Sequence, residues 1–233
     1  MNHEYHVAIT GCDHAVGSEI NPFRTISRAA QVAETGDTII VHEGTYREWI
    51  KPAHSGYSNI NRITYEAAKG EKVIIKGSEQ INTWELYEDT VWKVTLPNTM
   101  FGDYNPYKES LSGDWFVYPE DSSVHAGDVY LNDKSFYEAK SIEEVKNPVK
   151  RTIGYNPPWS NRIELLLDPE SSIYQWFAEV NNTETTIYAN FHGSNPNEEL
   201  TEINVRKSCF YPEKTGMNYI TVKGFEMAQA ACP

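Results

Sequence analysis

The sequence predicts an all-β protein in which a right-handed parallel β-helix is interrupted by an antiparallel β-sandwich. Three observations predict it: an amphipathic helix that runs through a Gly-Asp turn into an apolar strand, a strand-and-turn pattern that recurs about every twenty residues, and a central stretch where that pattern gives way to hairpins. The first lies in Asn21 to Trp49. Phe23, Ile26, Ala29, Ala30 and Ala33 recur at helical spacing, so a lone helix there must cover an apolar surface. Gly36-Asp37 ends it, Thr38 to Val41 is a β-branched strand, and Gly44 turns the chain again before Thr45 to Trp49. A helix laid over the open end of a strand stack would cover both its apolar interior and its unpaired backbone groups.

Arg62 to Ala68, Gly70 and Val73 to Gly77 repeat the alternation of strand and turn. The pattern stops near Ile81 and returns at Tyr219 to Met227, which copies the layout of Val73 to Ile81. Between them, short strands rich in β-branched and aromatic residues are predicted at Val91–Val94, Val129–Leu131, Arg162–Leu165, Gln175–Val180 and Thr186–Phe191. Asn132-Asp133-Lys134 and Asn181-Asn182 read as hairpin turns. Several short strands punctuated this way predict a sandwich. The expected organisation is a cap helix and first rungs over 1–81, an inserted sandwich over 82–202, and a return to the β-helix over 203–233. Long loops at Met100–Ser123 and Lys146–Asn161 hold much of the Pro, Gly and Tyr, and ordered loops of that length are usually functional.

Composition narrows the function. With 39% hydrophobic residues, six Trp and fifteen Tyr, the chain can bury a core. A net charge of −13 argues against nucleic acid or an anionic membrane as partner, because phosphate contacts need a basic patch. A neutral ligand such as a sugar fits better. The N-terminus has no basic segment followed by an apolar run, and no stretch approaches the roughly 20 residues needed to span a bilayer, so a cytoplasmic location is expected. Cys12, Cys209 and Cys232 are odd in number and widely spaced, and predict buried or free thiols rather than disulfides or a zinc site.

No cofactor or metal is expected. No Gly-x-Ser-x-Gly elbow, P-loop or Rossmann fingerprint occurs, and His42 and His54 have no partner at metal-ligand spacing. His125 and His192 read as surface or satisfied histidines. Glu43, Glu48, Asp103, Asp114 and Asp128 lie in or beside turns, where carboxylates are common because turns are solvated. Asp37, after Gly36, is expected to bond its own backbone. Trp115, in Ser112-Gly113-Asp114-Trp115-Phe116, has two readings: an exposed indole stacking on the apolar face of a sugar, or a pin that holds the loop to the sandwich. Tyr104 and Tyr107 would line the same region. Trp49, Trp84, Trp92, Trp159 and Trp176 read as core or interface aromatics.

The segments TGDTIIVHEGTYREWIKP, RITYEAAKGEKVIIKGSE, FGDYNPYKE, GDVYLN, TTIYANFHG and INVRKSCFYPEKTGMNYITVKGFEMA resemble the N-terminal part of glycoside hydrolase family 120 over essentially the whole chain. The resemblance implies a β-xylosidase: a pectin-lyase-like β-helix with a flanking sandwich, retaining, and trimming xylose from the non-reducing ends of xylo-oligosaccharides. It also implies a xylose contact for the tryptophan of the GDW segment, Trp115, and a homo-oligomer. Retaining hydrolysis needs two carboxyl groups roughly 5 Å apart. In the family these lie on later rungs, beyond Pro233, so no catalytic residue is expected in this chain, which would then be a truncated product or a fragment, inactive alone. Nothing after Met227 would cap the last rung. Two other readings stand beside this one. The chain could be a stand-alone carbohydrate-binding or assembly module, or, with less support, a pectin-type lyase, whose calcium-binding carboxylate cluster is not legible here.

Overall fold

The computed structural model describes residues 2–113, 124–154 and 162–231. The protein is all-β with few helices, and its contacts divide it into two units: Met1–Ser78 with Arg206–Ala230, and Glu79–Val205 with Ala231–Pro233.

In the first unit, three passes of the chain each place one strand in each of two parallel sheets. Glu4–Val7, Thr38–Val41, Ile63–Ala67 and Ile220–Lys223 lie side by side in that order, and Gly44–Tyr46, Val73–Lys76 and Phe225–Ala228 form the second sheet. The register aligns Ile39 with Tyr65, and Ile63 with Ile220, so apolar side chains of successive passes stack in columns. Ile39, Val41, Ile63, Tyr65, Val73 and Ile75 are buried together. A parallel stack of this kind buries its apolar columns only because each neighbour covers the last.

The helix Ile26–Val32 closes one side of this core through Ile26, Ala29 and Ala30. Its start is built from three side chains far apart in sequence. Thr25 caps it by accepting from Arg28 N. Asp13 takes the backbone N–H groups of Arg24 and Thr25, both at 2.9 Å. Glu48 takes those of Ile26 and Ser27 at 3.0 and 2.8 Å, so its carboxylate answers the unpaired donors and the positive end of the helix. Asp37 is 2% exposed and accepts from Glu34 N at 2.8 Å and His3 N at 2.7 Å. The expected bond to its own turn is therefore present, and a second one ties in the strand before it. Gly36 supplies the left-handed φ of 92° that the turn requires.

The second unit holds a five-stranded sheet in the order Tyr137–Glu138, Gln175–Val180, Glu184–Asn190, Val91–Pro97, Glu85–Glu88, antiparallel except for its first pair. A second sheet contains, in order, Lys134–Ser135, Val129–Leu131 and Thr201–Asn204, all antiparallel. One core joins them: Val94, Trp176, Ile187 and Ala189 from the first pack with Val129, Ile203 and Phe191. On the other face of the five-stranded sheet, Val145 of the short helix Ile142–Lys146 is buried with Val91 and Ala139. The turn at Asn132-Asp133 has both residues at positive φ, 51° and 66°, which matches the right-handed twist of a two-residue hairpin. At the other predicted turn, the Asn181 side chain accepts from the N–H groups of Thr183 and Glu184.

One predicted strand is not formed among the described residues. Arg162–Leu165 forms no ladder, only a single bridge between Leu165 and Ile153, and Ile163 and Leu165 are 66% and 74% exposed. The alternation of apolar residues there has no core to face. Conversely, Glu4–Val7, Glu85–Glu88 and Thr201–Asn204 are strands that the apolar pattern did not announce. Among the described residues, no helix is long and apolar enough to cross a membrane.

Candidate functional site

A cavity of about 400 Å³ opens in the second unit, within the size range of small-molecule sites. Local geometry places its wall. Asn204, itself 1% exposed, accepts from Asp128 N and donates to the carbonyl of Ala126, which fixes the segment carrying His125 and Asp128. The Asn132-Asp133 hairpin returns Ser135 to Asp128, and the edge strand Tyr137–Glu138 brings Glu138 to His125. Ser172 accepts from Arg151 N, holding that backbone at the cavity.

Two polar pairs face the space. His125 Nδ1 lies 2.5 Å from Glu138 Oε1, while His125 N donates to Oε2 at 2.8 Å. The bond to Glu138 raises the imidazole pKa above its ordinary 6.5, against the opposing effect of burial. Asp128 accepts from Ser135 Oγ at 2.5 Å and from Val129 N at 2.8 Å, yet burial pushes its carboxyl up to about 7. Both oxygens of each carboxylate are engaged.

Because the folded pKa of His125 is raised, the stabilisation from its protonated form is complete below about 6.5 and is lost as pH rises through the folded value. Glu138→Gln removes the cause. The His125 midpoint, followed by NMR, should therefore fall from above 6.5 to that value or below it, since burial alone lowers it. An unchanged midpoint would show that the pair does not set it.

Of the residues expected at a sugar site, Tyr104 and Tyr107 are among the described residues. Trp115 and Asp114 lie outside the described residues, as do Trp159 and Cys232. Tyr107 is a core residue: it is 2% exposed, meets Phe101 and Trp176 edge to face, and donates its hydroxyl to the Asp128 carbonyl at 2.6 Å. The Tyr107 ring is thus packed inside the second unit. Tyr104 is half-buried and donates to the Ala231 carbonyl at 2.6 Å. Trp84 and Trp176 are buried as read, and Trp92 and Trp49 are half-buried, Trp49 donating to Tyr211 O and carrying Lys51 over its ring. Cys12 is exposed and Cys209 buried, both free.

In the first unit, His42 does find partners through space. His6 Nδ1 lies 3.0 Å from His42 Nε2, and a glutamate stands at each end, Glu4 on His6 and Glu71 on His42, each at 3.2 Å. The Glu43 N–H and the His42 ring hold the Glu71 carboxyl below its ordinary value. His54 Nδ1 donates to the Ala33 carbonyl, and His192 Nε2 to that of Ile173. Among the described residues, no group of three or more His, Cys, Asp or Glu is placed to hold a metal ion.

Known proteins fit this picture at two levels. A structure described as a glycoside hydrolase superposes with a TM-score of 0.52 at 12% identity, over 97% of this chain and 50% of its own, so the two share a fold and no more. A structure described as the complex of XylC with xylose superposes with a TM-score of 0.95 at 56% identity, over 99% of this chain and 36% of XylC. The fold is thus all-β, shared closely with XylC. Residues 81–203, more than half of the 233, match the family described as glycoside hydrolase 120, insertion domain. The chain belongs to glycoside hydrolase family 120 and is related to its β-xylosidases. Residues 9–54 match a second family, a protein of unknown function (DUF1565), and the uncharacterized protein YwoF of Bacillus subtilis (strain 168) is 35% identical over 77 residues, 33% of this chain and 16% of YwoF. The chain thus spans about a third of XylC and a smaller share of YwoF.

Proposed function

We propose that this chain forms part of a retaining β-xylosidase that removes xylose from the non-reducing ends of xylo-oligosaccharides. The observation that carries the reading is the 56% identity to XylC over 99% of this chain, in a structure that holds xylose. In this reading the first unit is the start of a right-handed parallel β-helix, and the second is a β-sandwich inserted between rungs, near Ile81 and Glu202. The parallel ladders in register and the two sheets sharing one core support both assignments. On the family resemblance, the catalytic carboxyl pair is expected in sequence outside these 233 residues, which span 36% of XylC. Trp115 supplies a stacking face for xylose, and the working enzyme is a cytoplasmic homo-oligomer.

The test uses the protein extended to the natural end of its gene. It should release xylose and xylobiose from xylotriose, and Trp115→Ala should raise KM roughly threefold to tenfold with kcat less affected, the size expected for one lost aromatic stack. An extended enzyme that leaves xylotriose intact contradicts the activity, and an unchanged KM contradicts the role of Trp115.

A further inference from the structure

We propose that the facing nitrogens of His6 and His42 in the first unit bind a divalent transition-metal ion of the zinc type, which staples successive passes of the parallel stack. The protons of this cluster do not balance without a cation. Glu4 Oε1 lies 3.2 Å from His6 Nε2, His6 Nδ1 lies 3.0 Å from His42 Nε2, and His42 Nδ1 lies 3.2 Å from Glu71 Oε1. An ionised carboxylate only accepts, so each outer ring nitrogen carries the proton of its own bond. Two neutral imidazoles then have no proton left for the contact between them. Their inner nitrogens meet as two lone pairs, with a glutamate behind each ring, and a positive ion between them satisfies the whole row.

The rings are aimed for this. Their planes lie within 16° of each other with centroids 5.3 Å apart, so nitrogens 3.0 Å apart face each other edge to edge, with both lone pairs directed into the gap. Zinc–nitrogen bonds of about 2.0–2.1 Å in a tetrahedral site place two ligand nitrogens about 3.3 Å apart, so a small opening of the gap admits the ion. A carboxylate on the far nitrogen of a ligating histidine is the usual outer support of a metal site, because it fixes the tautomer and makes the ring more basic. The framework around the rings is also held in place. His6 N donates to Gly17 O and His42 N to Val7 O, the His42 carbonyl accepts from Tyr46 Oη, and Glu71 Oε2 accepts from Glu43 N at 2.7 Å. The side chains of His42 and Glu71 are 31% and 35% exposed, so the pair is within reach of an ion from solvent. Two protein ligands rather than three are offered, and water completes the coordination.

Titration of the protein with zinc chloride, followed by ring-nitrogen NMR, should move the His6 and His42 resonances together. They should respond at a concentration at least about tenfold below that which moves His54 or His192, whose ring nitrogens already bond carbonyls. His42→Gln should abolish the response of His6, and Glu71→Gln should weaken zinc about tenfold with both histidines present. Zinc should raise the thermal midpoint of the wild type and leave that of His42→Gln unmoved. Affinity should fall as pH is lowered, because protons compete for the inner nitrogens. The wild-type spectrum decides the matter by itself if His42→Gln does not fold. Zinc that moves all the histidines alike, that leaves His6 and His42 unmoved at about 1 mM, or that binds both variants as tightly as the wild type overturns the proposal. None of these results bears on whether the extended protein hydrolyses xylosides.

Discussion

Replacing Trp176 by Ala is expected to cost the second unit about 3–5 kcal/mol, a large share of the roughly 5–15 kcal/mol by which a domain of ordinary size is stable. Trp176 is 2% exposed and lies at the meeting point of the two sheets, with the Tyr107 ring edge-on at 5.3 Å. Its strand pairs with Ala189 on one side and Glu138 on the other, and its carbonyl accepts from Ala139 N at 2.7 Å. The substitution therefore opens a void in a close-packed core and loosens the strand that positions Glu138 against His125. Urea unfolding followed by far-ultraviolet circular dichroism measures it. A loss below about 1 kcal/mol would mean that the two sheets do not depend on one shared core.

Much of the first unit is legible in the sequence because its coils repeat. Strands that lie above one another in register must each bring β-branched residues to the same places, and Thr38–Val41 with Ile63–Ala67 in one sheet, and Gly44–Tyr46 with Val73–Lys76 in the other, do so. The helix was legible for a different reason, its stripe of Ile26, Ala29 and Ala30, but the clasp on its start was not. Glu48 is 22 residues from the Ile26 N–H that it accepts, and no local pattern marks a carboxylate that caps from a distance. It reads in sequence as an ordinary solvated turn residue. Thr201–Asn204 was hidden by its polarity. All four residues are buried, including Glu202 and Asn204, and a strand whose polar side chains are satisfied inside the fold lacks the alternation that announces a strand.

The cavity was less legible than the fold. His125 and Glu138 are 13 residues apart, Asp128 and Ser135 seven, and Arg151 follows a helix, so only the hairpin and the edge strand bring them together. Each alone is a common surface residue. The reading of His125 as a satisfied histidine holds, with Glu138 as its partner, but that partner also turns the pair into part of a cavity wall. Tyr107 lies deeper than its place in the sequence suggests. A tyrosine in a long, Gly- and Pro-rich loop suggests an exposed platform, whereas the 3-10 turn at Asn98–Phe101 and the Asn105 side chain, which accepts from Tyr107 N, fold it back into the core.

The second large effect concerns activity itself. If the catalytic carboxyl pair lies outside these residues, the 233-residue chain loses essentially all of the rate enhancement, since retaining hydrolysis requires both groups roughly 5 Å apart at the scissile bond. The folded chain could still present sugar-contacting walls, and binding alone gives no turnover. Release of p-nitrophenol from p-nitrophenyl β-xyloside, compared between this chain and the protein extended to the natural end of its gene, tests the account most directly. Hydrolysis by the extended protein, with none above background from the 233 residues, is the predicted result. Turnover by the short chain would place a catalytic pair among its own acidic residues, and silence from both would contradict the β-xylosidase assignment.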